Sequence, residues 1–182
     1  MEKGKFQSLT ISQIANLMLQ FEDIVRLRHG GKKPHYTQER LCLYCLICQG
    51  RSFAECGMKL FDEDMFVNML GTVDCLDIHE MFDRYGYNSV LTHEHVNAAG
   101  KFRSSAFMVL EQQQLVKNVL NEFEDMPIEE LREYVMSMPP CQEAAQNPPA
   151  VIKKECIKKH FTEMYRKELS GSISFDGELI IG

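Results

Sequence analysis

Three groups of residues in this chain have spacings at which side chains do chemistry. Cys42, Cys45 and Cys48 follow a Cys-x-x-Cys-x-x-Cys pattern, the spacing of a zinc or iron–sulfur run. A cluster needs thiolates converging from an open loop, with a fourth ligand nearby. Here leucines, tyrosine and isoleucine fill the gaps, so the expectation is three small apolar cysteines in a helical core. His79, Glu80 and Asp83 spell His-Glu-x-x-Asp, which falls short of a zincin helix because the second histidine is missing. His93 and His95 flank Glu94, and in a strand both imidazoles would share one face. No third ligand accompanies them, and a polar loop is the simpler expectation. No cofactor and no catalytic residue is assigned.

Phosphate contacts are the remaining chemistry. Lys153, Lys154, Lys158 and Lys159 lie on one basic stretch, with Arg166 and Lys167 beyond them. No aromatic residues are interleaved for base stacking, so a solvated lysine face is the competing expectation. His160, on the apolar side of the same stretch, is expected to be partly buried and hydrogen-bonded. There is no P-loop, no Gly-x-Gly-x-x-Gly, no nucleophile elbow and no triad order.

With 182 residues and a net charge of −6, the chain has the bulk of one globular domain. Its longest apolar run, Leu41 to Cys48, is far short of the roughly 20 residues that span a bilayer. The N-terminal residues Met1 to Lys5 lead to no apolar signal segment. Seven cysteines, an odd number, several in an apolar helical pattern, imply reduced thiols in a cytosol. The charge is unevenly spread. Residues 55–83 hold eight acids against Lys59 alone: Glu55, Asp62, Glu63, Asp64, Asp74, Asp77, Glu80 and Asp83. Residues 111–133 are also acidic, whereas 26–40 and 151–168 are basic. The acidic run suits a surface that docks on a basic partner or imitates nucleic acid.

These groups must be carried by a succession of helices. Thr10 with Gln13 forms a capping box ahead of Ile14, Leu17, Met18, Phe21 and Val25 at helical spacing. Gly30 and Gly31 end that helix. Thr37 caps a second, apolar on nearly every side and therefore central, with Gly50 as its left-handed C-terminal residue. Asp62 is expected to cap a short helix through Leu70, and Asp74 another through Tyr85. Further helices are expected over about 107–124, from Ile128 to Met136 after Pro127, and over about 152–168. Residues 87–104 read as a loop-rich connection. Asp176-Gly177 between two short apolar runs predicts a C-terminal hairpin. The expected division is residues 1–170 as one helical domain and 171–182 as a β-hairpin tail.

The order of motifs resembles the Panacea domain, the SocA-type antitoxin module of bacteria and their phages. The likeness rests on Ile14-Ala15, the apolar helix ending Gln49-Gly50, the step Lys59-Leu60-Phe61-Asp62-Glu63, and the helix before Tyr85-Gly86. It continues in Pro140, Glu143-Ala144, a proline loop and a basic helix, covering roughly residues 11–161. Two elements differ. Asn68 and Gly71-Thr72-Val73 stand where the family has a tryptophan and Gly-Pro-Val, and Cys141 stands where it has a second tryptophan. The chain has no tryptophan at all.

The resemblance implies a mainly α (α+β) fold, a compact multi-helix Panacea-like domain, to which the Asp176-Gly177 signal adds a small C-terminal β-hairpin. It also implies a non-enzymatic protein, from a phage or mobile element, that neutralises a protein partner in the bacterial cytoplasm. By the resemblance the partner would be a toxin; the altered tryptophan motifs, the acidic segments and the added hairpin point equally to an anti-CRISPR protein that binds an effector nuclease. The acidic residues Asp62, Glu63, Asp64, Asp74, Asp77, Glu80 and Asp83 are the expected contact. Two alternatives stand beside this: a metalloprotein using the Cys and His groups, and a nucleic-acid-binding regulator using the basic segments. No membrane partner is expected. A homodimer, through the C-terminal hairpin or an apolar helix face, is left open.

Overall fold

The computed structural model describes residues 8–31, 36–86, 88, 90 and 109–178, with side chains to residue 170. Among them are seven α-helices and a small antiparallel sheet. The helices are α1 (Ile11–Arg28), α2 (Gln38–Arg51), α3 (Leu76–Phe82), α4 (Leu110–Phe123), α5 (Ile128–Met136), α6 (Pro139–Ala144) and α7 (Lys154–Glu178). The strands are β1 (Phe66–Val67), β2 (Val73–Asp74) and β3 (Ala150–Val151), in the order β2-β1-β3. The fold is mainly α with a minor β component, as the sequence implies.

Helix α2 is the centre. Every residue from Leu41 to Gly50 is buried, and α1, α3, α4, α5, α7 and β2 all pack on it. An apolar surface on all sides leaves a helix no stable place except among other elements, and each fully buried aliphatic side chain contributes roughly 2 kcal/mol. The amphipathic helices that enclose it present one apolar stripe each. In α4 that stripe is Leu115, Val119, Leu120 and Phe123, all buried.

Local chemistry sets the ends of the first two helices. The capping box on α1 is complete: Gln13 N–H donates to Thr10 Oγ1 at 3.2 Å, and Thr10 N–H donates to Gln13 Oε1 at 2.9 Å. At α2, Arg40 N–H donates to Thr37 Oγ1, also at 3.2 Å. Ahead of that cap, Tyr36 N–H donates to the buried carboxyl of Glu22 at 2.7 Å. Burial pushes that carboxyl from its ordinary 4.5 up to about 7.

Four sequence expectations change. Gly50 is not a left-handed helix terminator. It sits inside α2, which continues through a π-helical turn, Ser52–Cys56, to Gly57 at φ 71°. Gly50 is needed for close approach, because a Cβ there would lie 2.2 Å from the Phe161 ring on α7. Asp62 caps no helix; residues 60–65 form an irregular crossing that leads into β1. This crossing has no helical ladder because Gln49, from the core, takes its backbone groups. Gln49 Oε1 accepts from Leu60 N–H at 2.7 Å and Phe61 N–H at 3.3 Å, and its Nε2 donates to Phe61 C=O at 3.0 Å. Helix α3 begins at Leu76, and Asp74 ends β2.

The C-terminal hairpin is also replaced. The backbone is helical through Glu178, so the first arm and its Asp176-Gly177 turn belong to α7. Extending a nucleated helix adds one hydrogen bond per residue, whereas a lone hairpin is marginal in water. Residues 179–182 and the loop expected at 87–104, apart from 88 and 90, lie outside the described residues. The hairpin edge, one of the two surfaces offered for a homodimer, is therefore not present among the described residues. The sheet comes from elsewhere: Asn68–Thr72 connects β1 to β2, and β3 pairs with β1 from far along the chain.

Candidate functional site: a polar cleft at the N-terminal end of the central helix

The β1–β2 turn is organised by one side chain. Asn68 Oδ1 accepts from Leu70 N–H at 2.9 Å and Thr72 N–H at 3.2 Å, and Gly71 supplies the positive φ of 75°. Asn68 Nδ2 donates to Asp74 Oδ2 at 2.9 Å. The turn thereby holds Met69 and Leu70 outward, 71% and 77% exposed, with Leu76 just beyond β2 at 64%.

Between this turn, the start of α2, α3 and α5 lies a cavity of about 420 Å³. Gln38, Glu39, Asp74, His79 and Arg132 form its polar wall, with Leu70, Val73 and Ile128 as apolar lining. Arg132 grips Glu39 through Nε at 2.5 Å and Nη2 at 2.9 Å, and Thr72 Oγ1 donates to the same carboxylate at 3.0 Å. The Arg132 bond chiefly, opposed by burial and helped by Thr72, holds the Glu39 carboxyl below its usual range. His79 Nε2 lies 2.5 Å from Asp74 Oδ1, which also accepts from Cys75 N–H at 2.9 Å. Gln38 is the buried member of the wall, and its Nε2 donates to the carbonyls of Phe82 and Gly86, each at 2.8 Å.

The acidic residues singled out from the sequence divide by environment. Asp62 and Asp64 are exposed but engaged: Lys59 pairs with Asp62, Ser8 Oγ donates to it at 3.0 Å, and Lys154 pairs with Asp64. The Lys59 bond holds the Asp62 carboxyl low. Glu63 is half-buried, with Oε2 enclosed and without a hydrogen-bond partner. Asp74 is half-buried in the cleft wall. Asp77, Glu80 and Asp83 are exposed on α3 and the 3-10 turn after it.

Two of the four lysines expected at phosphates serve the fold. Lys153 binds Glu143 at 2.5 Å, and Lys154 donates to Asp62 C=O at 2.7 Å in addition to pairing with Asp64. Lys158 and Lys159 are exposed. His160 is half-buried as expected, but its Nε2 has no hydrogen-bond partner, and burial lowers its pKa.

Cys42, Cys45 and Cys48 are fully buried in α2, and desolvation raises all three thiols. Among the described residues, no three His, Cys, Asp or Glu side chains converge to hold a metal. His93 and His95 lie outside the described residues. Among those residues, no helix is long and apolar enough to cross a membrane.

Sequence reasoning missed Gln38, Glu39 and Arg132. Glu39 and Arg132 are 93 positions apart, and no local pattern ties them together. Only the polar start Gln38-Glu39-Arg40, ahead of the apolar run Leu41 to Cys48, signals that this end faces something other than core. No family model, no curated protein and no solved structure matches the chain.

Proposed function

We propose that this chain is a non-enzymatic binding protein that neutralises a protein partner, and that the β1–β2 turn with α3 is its contact surface. The observation that carries this reading is the exposure of Met69, Leu70 and Leu76 beside the acids Asp77, Glu80 and Asp83. Large apolar anchors with a charged rim are what a specific protein interface presents. The partner face would be basic around an apolar socket. A phage- or mobile-element-encoded antitoxin acting on a toxin, or an anti-CRISPR protein acting on an effector nuclease, supplies such a partner. The Panacea-like motifs support the first, and an acidic surface suited to a nucleic-acid groove supports the second. The contact is narrower than the whole acidic run, because Lys59 and Lys154 already neutralise Asp62 and Asp64.

The test is capture of the partner from the native host, followed by paired variants. Met69→Lys with Leu70→Lys should weaken binding by about a hundredfold, two hot-spot anchors being lost. Reversing Asp77, Glu80 and Asp83 to lysine should slow association and flatten its salt dependence. Wild-type capture by both variants, each with wild-type melting, would place the contact elsewhere.

A further inference from the structure

Gln38 carries an acceptor with no donor. It is 4% exposed and lines the cleft. Its Nε2 is fixed by two carbonyl acceptors, so the carboxamide cannot flip without turning an oxygen onto two oxygens. That leaves Oε1 held in one direction and unpartnered. Native structures rarely enclose such an atom without a use for it.

The rest of the wall defines the missing donor. Two carboxylates, Glu39 and Asp74, face one permanent cation, Arg132, with the imidazole of His79 beside Asp74. Asp77, Glu80 and Asp83 are exposed on and just beyond α3, where Arg84 is the nearby counter-charge, and Glu129 and Glu130 are exposed in the first turn of α5. The field at the mouth therefore favours a cation. Leu70, Val73 and Ile128 offer an apolar lining along which an aliphatic stem can lie. An amide oxygen that lacks a donor, with the already bonded Asp74 carboxylate in the same wall, suits the directed N–H groups of a planar guanidinium better than a strongly hydrated ammonium.

We infer that the cleft receives an arginine side chain presented by the protein partner, its guanidinium donating to Gln38 Oε1 in the field of Asp74. This rests on the partner-binding reading above and identifies the chemistry of the group that enters.

Three capped tripeptides test it: Gly-Arg-Gly, Gly-citrulline-Gly and Gly-Lys-Gly. Citrulline keeps the shape of arginine and loses the charge. In ¹⁵N-resolved NMR titrations of the full chain, the arginine peptide should shift the Gln38 side-chain amide and saturate. The lysine and citrulline peptides should bind about tenfold more weakly, or not measurably. Gln38→Met, which keeps the side-chain length, should stay folded with cooperative melting near that of wild type and lose the arginine preference, read on neighbouring backbone amides. Equal response to citrulline, an unmoved Gln38 amide, or undiminished arginine binding by Gln38→Met would each overturn the assignment. Full partner capture by Gln38→Met would remove the arginine seat and leave the partner-binding reading intact. Loss of capture in the Met69/Leu70 variant alone would then locate the contact at the turn.

Discussion

The two ends of α2 carry the same residue in opposite conditions. Near the C-terminal end, buried Gln49 has both ends of its carboxamide bonded to the 60–61 crossing. At the N-terminal end, buried Gln38 is bonded only through nitrogen, beside an open cavity. The first end is closed by contact: Gly50 lets the Phe161 ring lie against the backbone. The second is held by polar contacts: the Glu22 carboxyl accepts from Tyr36 N–H, and Arg132 pairs with Glu39. A fully satisfied amide specifies structure, whereas a half-satisfied buried one carries the cost of its unpaired atom.

Breaking the closed end should have the largest effect. Gly50→Ala would normally favour a helix by about 1 kcal/mol. Here the new methyl meets the Phe161 ring, and overpacking should cost about 3 kcal/mol or more, measured by denaturant unfolding. Adding Phe161→Leu should return part of that loss. A stabilised Gly50→Ala protein would refute the close approach.

Gln49→Leu comes next. It strands Leu60 N–H, Phe61 N–H and Phe61 C=O in the core, at a cost of about 3 kcal/mol. Unfolding should report it, together with faster amide exchange at Leu60 and Phe61.

A pH series separates the ends without changing the closed one. Glu22 is raised from 4.5 to about 7 in the folded chain. The folded state therefore holds a proton that the unfolded state has released, and the stability from this group is full below pH 4.5 and lost as pH rises through about 7. The loss should amount to about 3 kcal/mol at most, and Glu22→Gln should flatten that slope.

Gln38→Met should have the smallest effect on stability, within about 1 kcal/mol of wild type, because it removes an unpaired oxygen together with two donated bonds. A loss as large as that of Gln49→Leu would erase the distinction between the two ends.

Much of the scaffold was legible beforehand. The Thr10–Gln13 box, the Thr37 cap and the all-round apolar surface of Leu41 to Cys48 are local signals, and the structure follows them. Cys42, Cys45 and Cys48 read as core and are core. The helix expected from Asp62 through Leu70 does not form, because its expected cap, Asp62, is recruited by Lys59 while Gln49 takes the neighbouring backbone. The tail was misread because Asp-Gly is a hairpin signal only when the strands have something to pair with, and here a long helix runs on through it. Of the cleft, the sequence indicated Asp74 and His79 separately and left their pairing unseen.

By itself, then, the amino-acid sequence determined the helices that depend on caps and periodicity, the burial of the central one, and an acidic stretch near its partner strands. These are properties of residues within a few positions of one another. Tertiary structure alone decided that Gly50 serves Phe161, that Glu39 meets Arg132, and that Gln38 Oε1 is left without a donor. Each depends on distant segments arriving at one place. No periodicity encodes such an arrival, because packing around α2 sets it only once every apolar face has found its partner.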